Sequence, residues 1–179
     1  MGTKRMARTK LLVFTIGHST RTLSEFVRIL EAYGIQEVVD VRTIPKSRKN
    51  PQFNEGRFAA SLKRHGVRYR HMKGLGGLRH PLKDSINTYW RNASFRGFAD
   101  HMQTEEFRES VRGLIDMAKK RSVVLMCAEA VPWRCHRSLI ADALLVRGIR
   151  VKHIFSATNS RDHELTKGAK IRKSAIIYG

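Results

Sequence analysis

The chain has 179 residues, 41% of them hydrophobic, and sets 35 lysines and arginines against 15 aspartates and glutamates, a formal charge of +20. That length suits one domain with a real core, and the absence of any apolar run near the ~20 residues of a membrane span excludes a membrane protein of the helical kind. Two cysteines exclude a disulfide framework, and the positive field favours polyanionic partners.

In chain order, residues 1–10 carry Lys4, Arg5, Arg8 and Lys10 and read as a basic tail. The apolar stretch that follows is short and ends in polar Gly17-His18-Ser19, which predicts a cytoplasmic chain rather than a secretory signal. Residues 11–16 (Leu-Leu-Val-Phe-Thr-Ile) form a near-continuous apolar run, the pattern of a strand covered on both faces. Thr22 and Glu25 make a capping box for a helix whose stripe is Leu23, Phe26, Val27 and Leu30, with Gly34 at its end. Residues 36–41 are a second strand, followed by a loop with Pro45 and Pro51. Asn54 is placed to cap a short helix carrying Phe58 and Leu62. Residues 67–72 alternate as in an edge strand.

From Gly74 to about Phe98 no regular element is predicted. Thr104 opens a long helix with Phe107, Val111, Leu114, Ile115 and Ala118 on one face. Residues 122–126 are a buried strand, and the loop 127–134 leads to a helix carrying Leu139, Ile140, Ala143 and Leu144. Residues 149–155 are the last strand, and from about 156 a C-terminal extension shows only weak pattern. Strands alternating with helices predict a single α/β domain over 11–179: a three-layer sandwich around a mainly parallel, doubly wound sheet of about five strands. Ligands in such sheets sit outside the carboxyl ends of the strands.

Chemically capable residues follow each strand. Gly17, His18 and Ser19 follow the first; Asp40 and Arg42 end the second; His71 and Lys73 end the third; Cys127 and Glu129 end the fourth. Cys135, His136 and Arg137 open the next helix. A strand–loop–helix entry offers free N–H groups and the positive end of a helix dipole. That field, with Arg134, His136 and Arg137, predicts a depressed thiol pKa at Cys135, a nucleophile candidate; the alternative is a packing residue. Cys127 occupies the place of a phosphatase-like or rhodanese-like thiolate, although Glu129 repels anions and Pro132 lacks an N–H. Cys135-His136-Arg137 is similar to the Pro-Cys-His-Arg acceptor of DNA alkyltransferases, with Arg134 in place of the proline. The cysteine and histidine spacing matches no zinc-finger pattern, and no metal or cofactor is expected.

His18 and His136 are candidate proton carriers, with a turn histidine as the alternative for His18. Glu129 is a candidate acid/base or histidine-orienting carboxylate. Asp40 and Arg42 read foremost as a fixed ion pair, and Gly76-Gly77 as a turn with weak phosphate-loop character. Tyr89, Trp90, Phe95 and Phe98, interleaved with Arg91 and Arg96, either stack bases or form the underside of a long loop. The charge is uneven: from Arg42 to Lys83 there are twelve basic residues and one acid, Glu55, which supplies +11 of the +20.

The ordered set Thr15-Ile-Gly17-His18-Ser19, Asp40-Val-Arg42, Pro45-Lys-Ser47-Arg48, Leu75-Gly76-Gly77 and Cys127-Ala-Glu129…Pro132…Cys135-His136-Arg137 resembles the family catalogued as domain of unknown function 488. The resemblance runs from about residue 13 to 166, with Glu164 where the family's closing motif has proline. It implies an α/β sheet domain with a shared polar pocket. The expectation is an enzyme acting on nucleic acid or nucleotides, with repair or modification of DNA as its setting. Cys135, Glu129, His18 and His136 would carry the chemistry. Ser19, Asp40, Arg42, Ser47, Arg48, Gly76, Gly77, Cys127 and Arg137 would bind ligand. Lys46, Arg48, Lys49, Arg57, Arg70 and Lys73 would follow a nucleic-acid backbone. A non-enzymatic nucleic-acid-binding module and an enzyme for a small phosphorylated or sulfur-containing metabolite are the alternatives.

Overall fold

Period-two apolar runs and helical stripes divide the side chains between two faces of one sheet. The structure, a computed structural model, describes residues 10–179, so the basic tail expected over 1–10 falls outside the described residues except for Lys10. The strands are β1 (Leu12–Gly17), β2 (Glu37–Asp40), β3 (Arg68–His71), β4 (Val123–Cys127), β5 (Arg150–Ser156), β6 (Asn159–Asp162), β7 (Ala169–Arg172) and β8 (Ala175–Tyr178). The helices are α1 (Leu23–Ala32), α2 (Glu55–Arg64), α3 (Ala93–His101), α4 (Glu105–Lys120) and α5 (Arg137–Leu145), with short 3-10 turns at Pro51–Phe53, Lys73–Leu75 and Pro132–Arg134.

Six strands form the main sheet in the order β3-β2-β4-β1-β5-β6. The first five are parallel, and β6 returns antiparallel along β5. Alternate residues of the central strands serve opposite layers. Val13, Val39, Val123, Leu125 and Val151 pack with Phe98, Phe107, Leu114, Leu139 and Leu144 of α3, α4 and α5. Ile16, Val38, Val124, Met126 and Ile154 pack with Phe26, Leu30, Phe58 and Leu62 of α1 and α2. This is the expected three-layer α/β arrangement. The chain runs outward through β2 to β3, then returns to insert β4 between β2 and β1. The carboxyl ends of β2, β4 and β1 therefore lie side by side, where the order reverses.

Helix starts follow the local chemistry where a side chain is free to cap. Thr22 and Glu25 make the reciprocal capping box, and Thr104 Oγ1 accepts from Phe107 N. Asn54 stands at the start of α2 but does not cap it, because its Oδ1 accepts instead from Ser47 N at 2.7 Å. The stretch expected to be irregular up to Phe98 holds the start of α3. Asn92 caps it by accepting from Ser94 N and Phe95 N. The weakly patterned extension also has structure: β6 joins the sheet, and β7 pairs with β8 as a separate hairpin.

A buried polar chain holds that extension in place. Asp142 of α5 accepts from His163 Nε2 (2.8 Å), Thr166 N (3.0 Å) and Tyr178 Oη (2.8 Å). His163 Nδ1 meets His153 Nε2 at 2.9 Å, and Thr15 Oγ1 lies 2.7 Å from His153 Nδ1. Each buried group finds a partner, the condition under which such a network stabilises a fold.

A cysteine cleft at the strand ends: the candidate functional site

The β1, β2 and β4 backbones continue to bond past their ends, so the residues after them are held in fixed places. His18 N donates to Cys127 O (2.9 Å), Ser19 N to Ala128 O (3.0 Å) and Val41 N to Met126 O (3.0 Å). Gly17 permits this approach, since a Cβ there would collide with the Glu129 carbonyl. Just beyond lies a cleft of about 350 Å³, lined by His18, Arg42, Lys46, Ser47, Gly77, Cys127, Glu129, Arg134, Cys135 and His136. Thus His18, Arg42, Glu129 and Cys135, distant in sequence, face one cavity.

The two thiols touch: Cys135 Sγ lies 2.7 Å from Cys127 Sγ, and both residues are buried, at 3% and 5% exposure for Cys127 and Cys135. Arg137 Nη1 donates to Cys127 Sγ at 2.5 Å. Burial pushes the Cys127 thiol up, but the hydrogen bond from Cys135 and the Arg137 charge outweigh it and bring it down to about 7. Cys135 goes the other way. Burial raises its pKa well above the ordinary thiol value, and its proton-donating contact with Cys127 raises it further. The expectation of a depressed thiol at Cys135 is therefore corrected: Cys127, which takes the Arg137 guanidinium, is the sulfur favoured as thiolate, and Cys135 is its proton donor. The helix-dipole reasoning misplaced the effect because Cys135 ends a 3-10 turn two residues before α5, while Arg137 reaches back to β4.

Arg137, expected to bind ligand, is 0% exposed and donates also to Glu129 O (2.6 Å) and Ala130 O (3.1 Å). It clamps the loop, and its positive charge favours the thiolate form of Cys127. Asp40, counted among ligand-binding residues, is fully buried under Arg42, whose Nε and Nη2 it accepts at 2.9 and 2.6 Å, and takes the Tyr69 hydroxyl at 2.7 Å. Burial, then the Asp40 charge, raises the Tyr69 pKa. Arg42 Nη2 also donates to Phe53 O (2.7 Å), which leaves Nη1 toward His18 Nε2 at 3.4 Å.

The partners fix the histidine tautomers. His18 Nδ1 donates to Ser19 O (2.9 Å), leaving Nε2 to accept from Arg42, and its ring stacks on Phe53 at 4.4 Å. His136 Nε2 faces two carbonyls, Val41 O and Leu75 O, each at 3.0 Å, so it carries the proton. Its bare Nδ1 lies 3.6 Å from Cys135 Sγ. Burial lowers the pKa of His18 and takes His136 down to about 4 and His153 to about 3. All three are neutral proton acceptors in the fold.

Because these folded-state pKa values lie below the unfolded value of about 6.5, the unfolded chain binds more protons between about pH 4 and 6.5. Stability is complete above that window and is lost as pH falls through it. Urea midpoints should fall continuously from neutral pH to about pH 4. A midpoint that holds or rises on acidification would contradict the neutral histidines.

Ser19 has φ +46° and Gly76 packs against Thr43; neither lines the cleft. Gly77 does, and a Cβ there would strike the His136 ring, so this glycine leaves that ring its room. Lys46 lies on the lining, while Arg48, Lys49, Arg57 and Lys73 are exposed outside it and Arg70 is paired with Glu37 at 3.2 Å. Of the loop aromatics, Phe95 faces the cleft and stacks on Trp90 at 4.8 Å; Phe98 is core. Sequence reasoning missed Thr43, Ile44, Leu78 and Ser94 on the lining. Ile44 and Leu78 are 60% and 67% exposed, an apolar lip that no local pattern announces. Among the described residues no three His, Cys, Asp or Glu side chains gather as metal ligands, and no helix is long and apolar enough to cross a membrane.

These features define an α/β protein with a paired-cysteine cleft at the reversal of strand order. The chain matches the family described as domain of unknown function DUF488 over residues 22–144, and it belongs to that family. Comparison with curated proteins and with solved structures found no match.

Proposed function

We propose that the chain is a thiol-dependent enzyme acting on a nucleotide, free or within nucleic acid. The observation that carries this reading is one cavity in which the Cys127 thiolate meets cationic and apolar walls together. Arg42, Lys46 and Arg134 supply positive charge for phosphate, and Phe95, Ile44 and Leu78 supply surface for a base. Exposed Arg48 and Lys49 extend the positive field next to Lys46. Glu129, exposed on the lining, is the acid/base group, while neutral His18 meets Arg42 and neutral His136, held by Val41 O and Leu75 O, lies beside the second thiol. The cleft's volume favours a small phosphorylated metabolite as the second reading, since about 300–1,000 Å³ is the range of small-molecule sites.

Oligonucleotide binding should depend steeply on salt. Three phosphate contacts would weaken it roughly 10–100-fold between about 50 and 200 mM salt. Lys46→Ala with Arg134→Ala should flatten that slope, and Cys127→Ser should spare binding while removing turnover. Binding that ignores salt would sink the nucleic-acid reading. Thermal stabilisation by phosphometabolites but not by nucleotides would favour the second.

A further inference from the structure

We infer that Cys127 and Cys135 form a peroxide-reactive pair, with Cys127 the site of attack and Cys135 the thiol that resolves it. The inference shares the Cys127 thiolate with the reading above but not its substrate, so either can fail alone. Its basis is geometric. The sulfurs are 2.7 Å apart, come from a strand end and a turn eight residues on, and both line the cleft. Arg137, fixed by two loop carbonyls, holds its Nη1 on one sulfur only. That asymmetry divides the roles: one sulfur is presented as thiolate and its neighbour keeps its proton. No disulfide joins them in the structure.

The chemistry balances with hydrogen peroxide as the oxidant. The Cys127 thiolate attacks one peroxide oxygen and the O–O bond breaks. The leaving hydroxide takes a proton from solvent as water, and Cys127 becomes a sulfenic acid. Cys135 sulfur then attacks Cys127 sulfur. The S–O bond breaks, the hydroxyl leaves with the Cys135 proton as a second water, and a disulfide forms. The two sulfurs together lose two electrons, and the peroxide oxygens gain them. With Cys127 in the disulfide, the cleft has no thiolate.

The test is peptide mapping of the full chain after a stoichiometric addition of hydrogen peroxide near neutral pH. The expected product is a single Cys127–Cys135 cross-linked peptide, lost on treatment with dithiothreitol. Cys135→Ala should instead leave a sulfenic acid at Cys127 that dimedone traps. Cys127→Ala should leave Cys135 a free thiol, with peroxide consumed at least roughly tenfold more slowly. Three results would overturn the pairing: free thiols in the treated wild type, sulfinic acid at Cys127 with no cross-link, or equal oxidation of Cys135 in Cys127→Ala. The wild-type map decides the matter even if a variant folds poorly. Because no substrate is added, failure of the nucleotide reading leaves this outcome unchanged.

Discussion

Replacing Asp40 with alanine should lower folding stability by about 3–5 kcal/mol, the range for removing one partner of a buried ion pair. Asp40 is 0% exposed and Arg42 7%, and the carboxylate accepts from Arg42 Nε, Arg42 Nη2, Arg42 N and the Tyr69 hydroxyl. Without it the largely buried guanidinium keeps only Phe53 O and the long contact with His18, and its charge loses the carboxylate that balances it. The same change should disturb the cleft, because Arg42 also orients His18. Asp40→Asn keeps the volume and part of the bonding and should cost less. Adding Arg42→Met to Asp40→Ala should recover part of the loss, since the charge that needed the carboxylate is gone. Chemical denaturation of the three variants checks the ordering. Equal stability of Asp40→Ala and wild type would show that the pair is not buried as described.

The second large effect belongs to Arg137. Arg137→Leu removes the charge that, with the Cys135 hydrogen bond, opposes burial at Cys127, so the thiol pKa should rise. The thiolate fraction at neutral pH would then fall, approaching about tenfold for each pKa unit gained, and alkylation of Cys127 with it. The loop should loosen as well, because Glu129 O and Ala130 O lose their donor. Arg137→Lys retains a charge but not the planar fork that reaches a sulfur and two carbonyls at once, so it should restore reactivity only in part. Unchanged alkylation in Arg137→Leu would assign the lowered pKa to some other cause.

The layering was readable in the sequence because burial leaves a periodic trace. The apolar β4 segment and the Thr22–Glu25 box each carry their signal within a few residues. The extension was harder to read. The residues that fasten it, His163, Thr166 and Tyr178, bond to Asp142, which looks like an ordinary helix aspartate until the fold closes. For the site, chemistry at strand ends located the cleft, since parallel strands place their carboxyl ends together. It did not assign roles. Which cysteine is the thiolate depends on where Arg137 points, a tertiary fact, and helix-dipole reasoning alone favoured the wrong sulfur. Likewise Asp40 and Arg42 sit two residues apart, and only burial shows that the carboxylate serves the arginine rather than a ligand.

The division of labour between the two sulfurs can be read directly by alkylating the native protein over a pH series and quantifying each cysteine by mass spectrometry. Cys127 should label first, with half-maximal rate near pH 7. Cys135 should stay protected until strong alkali or unfolding exposes it. Faster labelling of Cys135, or a Cys127 midpoint at the ordinary thiol value of about 8.5, would contradict the assignment.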